Sequence, residues 1–566
     1  MPRIERRQPV PGADAWPWPD DMHPVLRHVL SRRALGSVDE LELTLRSLVP
    51  VGRFDALEAA VELLCAHRKH RIVIVGDFDA DGATSTALML LSLRELGFED
   101  VDYFIPDRFE LGYGLSPGVV QRLAPQSPSL IVTVDNGISS LAGVAAARGA
   151  GIDVLVTDHH LPPAELPRAN VIVNPNVPGA GFAAKSLAGV GVAFYLVAAL
   201  AKRLGRADGV AAYLDLVALG TVADLVKLDH TNRILVEQGL RRVRAGHGRP
   251  GIRALCKVSG VAPRDLTASN LGYHLGPRLN AAGRLDDMSV GVRCLISRSD
   301  SEALALAAEL DGLNRERREI EARMRADARA LVEGIDVADG AALPPVLCLL
   351  REDWHEGLVG LVASRIKERH HRPTFAFAPN ESGTLKGSGR SIPGFHLRDA
   401  LAAVDAERPG LIERFGGHAM AAGLTLPAER LAEFEHAIGA VGERALTPEL
   451  LAERIFSDGE LAAADVNVAL AALLRDSGPW GQGFPEPSFD GRFELRACKR
   501  LKDVHLKMSL NMERAGAPVD AIAFNRPDLE LAPGARLRVV YRLAVNDYFS
   551  PARVQLIVEH LQEEVC

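Results

Sequence analysis

RIVIVGDFDADG, residues 71–82, decides the fold class. Arg71-Ile72-Val73-Ile74-Val75 is short, apolar and β-branched, as a strand buried on both faces of a parallel sheet requires. It runs directly into Gly76, Asp77, Phe78, Asp79, Ala80, Asp81 and Gly82. Three carboxylates therefore stand at the carboxyl end of a strand, where open α/β sheets place their sites. The spacing DxDxDG also fits a calcium loop, but its twelfth position is Leu88 rather than Glu, and a strand rather than a helix precedes it. A solvated acidic turn is the other plain reading, and the following strands argue against it. SLIVTV ends in Asp135-Asn136-Gly137 and DVLVT ends in Asp158-His159-His160. Asp224, in GTVADLV, follows a further apolar segment and is a fourth candidate for the same edge.

Carboxylates gathered this closely repel one another unless countercharge is present, and two divalent cations supply it. Oxygen and imidazole donors suit manganese, with magnesium possible, and exclude a zinc–thiolate centre. The six cysteines are scattered without a CxxC pair and give no disulfide framework.

Away from this edge, residues 8–24 are rich in Pro and Trp and read as an extended surface segment, with helical periodicity from Pro24 to about His70. From Arg71, apolar runs (RIVIV, SLIVTV, DVLVT, NVIVN) alternate with helical stretches, which predicts a parallel sheet covered on both faces. Helices are expected over 190–204, over 211–220 and, as one long solvated element, over about 301–333. A second α/β unit begins at PPVLCLL (344–350), continues through a helix at about 356–369 and PTFAFAP, and reaches the Gly-rich KGSGRS. Beyond Ile455, short alternating strands (FELRACKR, LKMSLNM, VDAIAF, RLRVVYRLAV, RVQLIVEHL) predict a small β-barrel.

A chain of 566 residues exceeds what one core serves, so three or four domains are expected. With 47% hydrophobic and 24% charged residues, and no apolar run long enough to span a bilayer, it reads as a soluble cytoplasmic protein with no membrane segment. The net charge of -8 does not exclude nucleic acid, because binding follows local basic surface.

DFDADG, VDNG, TDHH and ADLV, in this order, resemble the core motifs of the DHH phosphoesterase superfamily. Within it, GPRLNAAGR (276–284) and HPVLRHVLSRRAL near the start resemble the RecJ family, Gly416-Gly417-His418 resembles the glycine-rich motif of the DHH-associated domain, and the match covers most of the chain. The resemblance implies an N-terminal segment (1–70), a DHH catalytic domain (71–300), a connecting helix (301–335), a smaller DHH-associated domain (336–455) and an OB-fold barrel (456–566). It also implies two Mn²⁺ ions, one held by Asp77, Asp79 and Asp135, the other by Asp81, Asp135, His159 and Asp224. Asp158 would orient a ligand, and His160 would touch the scissile phosphate or the leaving oxygen. The implied activity is 5′-to-3′ hydrolysis of single-stranded DNA in recombination and repair, by a monomer working with a single-strand-binding protein and a helicase.

A 5′ phosphate is best held by guanidinium and hydroxyl groups. The candidates are Arg108, Arg278, Ser388 and Arg390, with Asn280 and His418 added from the matching motifs. Tyr113 and Trp480 are candidates for stacking on bases. Basic residues of the long helix (Arg315, Arg317, Arg318, Arg323, Arg325, Arg329) either track phosphates or form a solvated face. The rival reading is a small-molecule phosphodiesterase or pyrophosphatase of the same superfamily, enzymes that lack GPRLNAAGR and a terminal barrel.

Overall fold

The computed structural model describes residues 2–107, 110–339, 343–380, 383–502, 504–512, 518–526, 529 and 531–564. Internal contacts divide the chain into two units. The larger comprises Glu5–Asp311 and Phe456–Cys566, the smaller Met1–Ile4 and Gly312–Ile455. No helix among the described residues is long and apolar enough to cross a membrane.

In the larger unit, RIVIV forms the strand Arg71–Val75, buried along nearly its whole length as its continuous apolar pattern demands. It lies between Asp100–Phe104 and Leu130–Val134 in a five-stranded sheet continued by Asp153–Thr157 and Val171–Val173. Every pairing is parallel. The chain steps to one side of Arg71–Val75 and then returns to build on the other. The reversal opens a crevice at the carboxyl ends of Arg71–Val75 and Leu130–Val134, the place where such sheets bind ligands. Helix Ala80–Glu95 leaves the first strand through this crevice. It is buried almost all round, packed against helices Gly189–Arg203 and Leu214–Ala223. The helix expected over 211–220 starts as a 3₁₀ segment, Ala207–Tyr213, and becomes α-helical at Leu214.

The strands Phe489–Leu501, His505–Met512, Val519–Ala523, Arg553–Glu563 and Arg536–Asn546 close in that order into a barrel. One seam, Val519–Ala523 with Arg553–Glu563, is parallel, and the others are antiparallel. The N-terminal segment is tied to the lead-in of this barrel. Arg33 donates to both oxygens of Asp458 at 2.7 and 2.9 Å, and neither side chain is exposed. Residues 8–24 are not simply extended over the surface. Trp18 is buried and donates to the Ala13 carbonyl, because an indole carries more apolar area than a solvated strand would leave wet. Between Pro24 and His70 the periodicity resolves into helices Pro24–Leu30 and Ala56–Ala66 with 3₁₀ turns between them.

The long helix spans Asp300–Asp339. In the smaller unit, a sheet runs Arg414–Gly417, Ala421–Pro427, Thr384–Arg390, Thr374–Pro379, Leu347–Leu350, and only the last pair is parallel. KGSGR is the middle strand of this sheet. A Cβ on Gly387 would lie 2.4 Å from the Phe377 ring, and one on Gly389 would lie 2.5 Å from the Phe375 ring. These glycines therefore make room for the two buried rings at the centre of the core.

Candidate metal centre

Four chain segments deliver the polar cluster. Asp77, Asp79 and Asp81 follow the first strand, Asp135 follows Leu130–Val134, Asp158, His159 and His160 follow Asp153–Thr157, and Asp224 caps helix Leu214–Ala223. One ligand atom from each of Asp77, Asp79 and Asp135 lies within 4.8 Å of the others, as does one from each of Asp81, His159 and Asp224. The two groups meet where His159 Nε2 lies 3.1 Å from Asp135 Oδ1 and 3.5 Å from Asp224 Oδ2.

The backbone is shaped to aim these oxygens. Asp135 has φ +61°, a left-handed conformation that costs a non-glycine residue on the order of 1 kcal/mol. Next to it the Asn136 amide donates to the Val75 carbonyl (3.1 Å) and the Val134 carbonyl (2.9 Å), stitching the two strand ends together. Asp79 caps helix Ala80–Glu95, its Oδ1 accepting from the N–H groups of Asp81 and Gly82 at 2.9 and 3.0 Å. Asp81 in turn accepts from Gly189 N–H (2.6 Å) and Val190 N–H (2.9 Å), the first turn of another helix. Gly189 and Gly220 leave room for this packing. A Cβ at Gly189 would lie 2.6 Å from the Asp135 Cβ, and one at Gly220 2.8 Å from Asp81 Oδ1.

Burial, and then the neighbouring carboxylates, push the Asp135 and Asp224 carboxyls well above the ordinary range. Asp81 is pushed up to about 7, again by burial first and then by Asp79. Asp135 Oδ1 and Asp224 Oδ2 are buried and accept no hydrogen bond among the described residues. Buried carboxylate oxygens without a donor, among mutually repelling acids and beside an imidazole, fit divalent cations of the manganese and magnesium type.

His160 differs from its neighbour. Its Nδ1 lies 2.7 Å from Asp158 Oδ1, and Asp158 also accepts from the N–H groups of Ile138, His159 and His160. Burial works against the His160 imidazolium, but the bond and charge of Asp158 prevail and raise its pKa. Asp158 is correspondingly lowered despite its own burial.

The other candidates fall into separate surroundings. Tyr113 is half exposed, donates to the Asp135 carbonyl at 3.2 Å, and meets Phe78 and His160 edge-on. Arg278 is buried, with its Nε 2.9 Å from Asp311 Oδ1. Asn280 faces the aspartate loop, its Oδ1 accepting from Ala80 N–H at 2.7 Å. Trp480 is 6% exposed, stacked on Phe484, with its N–H donated to the Leu474 carbonyl. Both its face and its polar handle are used in packing, which leaves no ring surface for a base. Arg108 lies outside the described residues.

In the smaller unit, Arg390 donates to Ser388 Oγ (2.9 Å) and to the Gly389 carbonyl (2.8 Å). It pairs with no carboxylate among the described residues, and burial lowers its pKa. His418 follows strand Arg414–Gly417, in the turn that leads to Ala421–Pro427. Sequence reasoning missed Asn136, Gly189, Val190 and Gly220. Of these only Asn136 carried a signal, its place in the DNG turn.

Comparison with known proteins follows this division. The DHH family N-terminal domain matches residues 71–221, the DHHA1 domain 343–442 and the RecJ OB domain 457–560. The single-stranded-DNA-specific exonuclease RecJ of Salmonella typhimurium is 50% identical over 558 residues, covering 96% of each chain. The crystal structure of Thermus thermophilus RecJ in complex with Mn²⁺ matches with a TM-score of 0.81 at 29% identity, over all of this chain and 80% of that one. The same protein with Mg²⁺ matches with a TM-score of 0.76 at 28% identity, over all of this chain and 78% of that one.

Proposed function

The chain belongs to the RecJ family of single-stranded-DNA-specific exonucleases, and from that premise we propose that it removes nucleotides from the 5′ end of single-stranded DNA at a centre where Asp77, Asp79, Asp81, Asp135, His159 and Asp224 would hold two cations. The protein is a metal-dependent phosphodiesterase of the DHH type. The observation that carries the two-cation reading is the pair of ligand groups, Asp77, Asp79, Asp135 and Asp81, His159, Asp224, joined by the 3.1 Å approach of His159 to Asp135. When bound, two Mn²⁺ ions, or Mg²⁺ in their place, supply four positive charges and the Lewis acidity that polarises a phosphodiester and acidifies water.

The chain's own groups do the rest. Asp158 accepts from His160 Nδ1–H, which fixes the tautomer and favours the imidazolium. The opposite ring nitrogen is then the atom offered to the scissile phosphate or the departing 3′ oxygen. Tyr113 offers a ring, tethered by its hydroxyl, against which an unpaired base stacks. Arg390, Ser388 and His418 of the smaller unit are read as contacts for the terminal phosphate, and Arg108 and Arg278 of the larger unit are assigned the same role. A desolvated guanidinium that pairs with no carboxylate among the described residues gains most from a doubly charged phosphate. Asn280 is better used in holding the aspartate loop than in touching DNA.

Residues 71–300, 336–455 and 456–566 are assigned the catalytic, substrate-binding and nucleic-acid-binding roles. A monomer in the cytoplasm, supplied with single strands by a helicase and a single-strand-binding protein during recombination and repair, is the setting that suits such an enzyme.

The test offers 5′-phosphorylated linear single strands, single-stranded circles, duplex DNA and pyrophosphate, each with Mn²⁺. Release of mononucleotides from linear single strands alone is the expected result. Digestion of circles would overturn the exonuclease reading. Comparable turnover of pyrophosphate would favour the small-molecule alternative.

A further inference from the structure

Helix Gly276–Leu285 carries the GPRLNAAGR segment, and one face of it is pressed against the aspartate loop. The contact is made by Asn280 and Gly283, three residues apart and so on the same side of the helix. At Gly283 a Cβ would fall 1.7 Å from the Phe78 carbonyl oxygen, so the loop backbone lies directly on the helix backbone. At Asn280 the side-chain oxygen takes the Ala80 N–H.

That hydrogen bond matters because of how the loop uses its carboxylates. A helix begins with N–H groups that have no partner inside the helix. In Ala80–Glu95 those of Asp81 and Gly82 go to Asp79 Oδ1, and that of Ala83 goes to the Asp79 carbonyl. Asp77 spends its Oδ1 on Phe78 N–H in the same way, at 2.8 Å. The Ala80 N–H is left over. Were Asn280 not there, the acceptor nearest in sequence would be the second oxygen of Asp79. Asn280 satisfies that donor from a different helix and spares Asp79 Oδ2 from having to do so.

We propose that Asn280 and Gly283 are positioning residues that hold the aspartate loop so that Asp79 keeps an oxygen for a cation. This rests on the two-cation reading above. The consequence is selective: loss of the Asn280 acceptor weakens ion uptake at Asp77, Asp79 and Asp135, and spares the group of Asp81, His159 and Asp224.

Electron paramagnetic resonance of free Mn²⁺, titrated into the full-length metal-free protein, reads the number and affinity of bound ions without any nuclease assay. Asn280→Leu keeps the bulk and removes the acceptor, whereas Asn280→Asp keeps an acceptor oxygen. Asn280→Leu is expected to weaken one of two ions at least tenfold and to change the other less than threefold. Asn280→Asp is expected to bind both ions within threefold of the wild type. Gly283→Ala, by forcing the Phe78 carbonyl away, is expected to weaken the same ion. Circular dichroism melting identifies a variant that has lost its fold, and the Asn280 pair then decides. Unchanged affinity for both ions in Asn280→Leu would overturn the proposal, as would equal weakening of both. Uptake of a single ion by the wild type would overturn the two-cation reading instead, and the positioning role would then stand or fall on whether Asn280→Leu weakens that one ion.

Discussion

Asp135→Asn separates what the acidic cluster does for chemistry from what it costs the fold. The substitution keeps the size of the side chain and removes one charge from a group whose ligand atoms lie within 4.8 Å of one another. Two full charges at that distance repel by about 3 kcal/mol at an effective dielectric constant of about 20. Asp135 Oδ1 accepts no hydrogen bond among the described residues, so the amide sacrifices little in return. In EDTA at pH 8 the variant is therefore expected to be more stable than the wild type by about 3 kcal/mol, read as a higher denaturant midpoint. With Mn²⁺ the order is expected to reverse, because a cation that binds only the folded chain stabilises it, and on the proposed reading the variant lacks a ligand common to both ions. Nuclease activity is expected to fall below about one-hundredth, since even outer-shell partners of a metal are worth about 10–100-fold. A variant that is less stable than the wild type in EDTA, yet gains as much from Mn²⁺, would refute the view that this cluster is a set of repelling ligands.

Two further outcomes concern the scaffold. Asp458→Asn leaves the fully buried Arg33 guanidinium without its carboxylate, and a buried pair broken on one side typically loses about 3–5 kcal/mol; limited proteolysis between the N-terminal segment and the barrel should accelerate, and an unchanged digestion pattern would count against the latch. Asp490 is held below the ordinary carboxylate range: burial opposes this, but the Arg6 and Ser457 hydrogen bonds and the Arg6 and Arg538 charges outweigh it. Its stabilisation is fully present above the unfolded value of about 3.9 and is lost as pH falls through the lower folded value. Melting of the wild type and Asp490→Asn should differ by a constant amount, about 2 kcal/mol, from pH 8 down to about 5 and converge on further acidification; a gap that widened in acid would contradict the assignment.

The sheet and its site were legible because one physical rule governs both. A strand buried on two faces must end where its polar groups begin, so RIVIV, SLIVTV and DVLVT mark the carboxyl edge, and the acids that follow each run gather there. The barrel was legible from its alternating strands. What escaped was the use of small and neutral residues. Gly189 and Gly220 matter for the volume they leave empty, which no local pattern encodes. Gly387 and Gly389, visible only as part of a Gly-rich run, leave room for Phe377 and Phe375. Trp480 could be placed at the start of the barrel but not inside or outside it, since the Phe484 ring and the Leu474 carbonyl that bury it are set by tertiary packing. Asn280 stood out as part of a motif, but its partner is a backbone N–H 200 residues away.

The Asn136 amide binds two main-chain carbonyls, one from each of the neighbouring strands that carry Asp77 and Asp135. The strand ends that carry these two carboxylates are thereby held at the spacing of hydrogen-bonded strands, about 4.8 Å. It is a backbone dimension, and side-chain replacement does not retune it. Attempts to redirect this centre toward ions of another size will have to work through the identity of the donor atoms, because the ruler itself is built into the sheet.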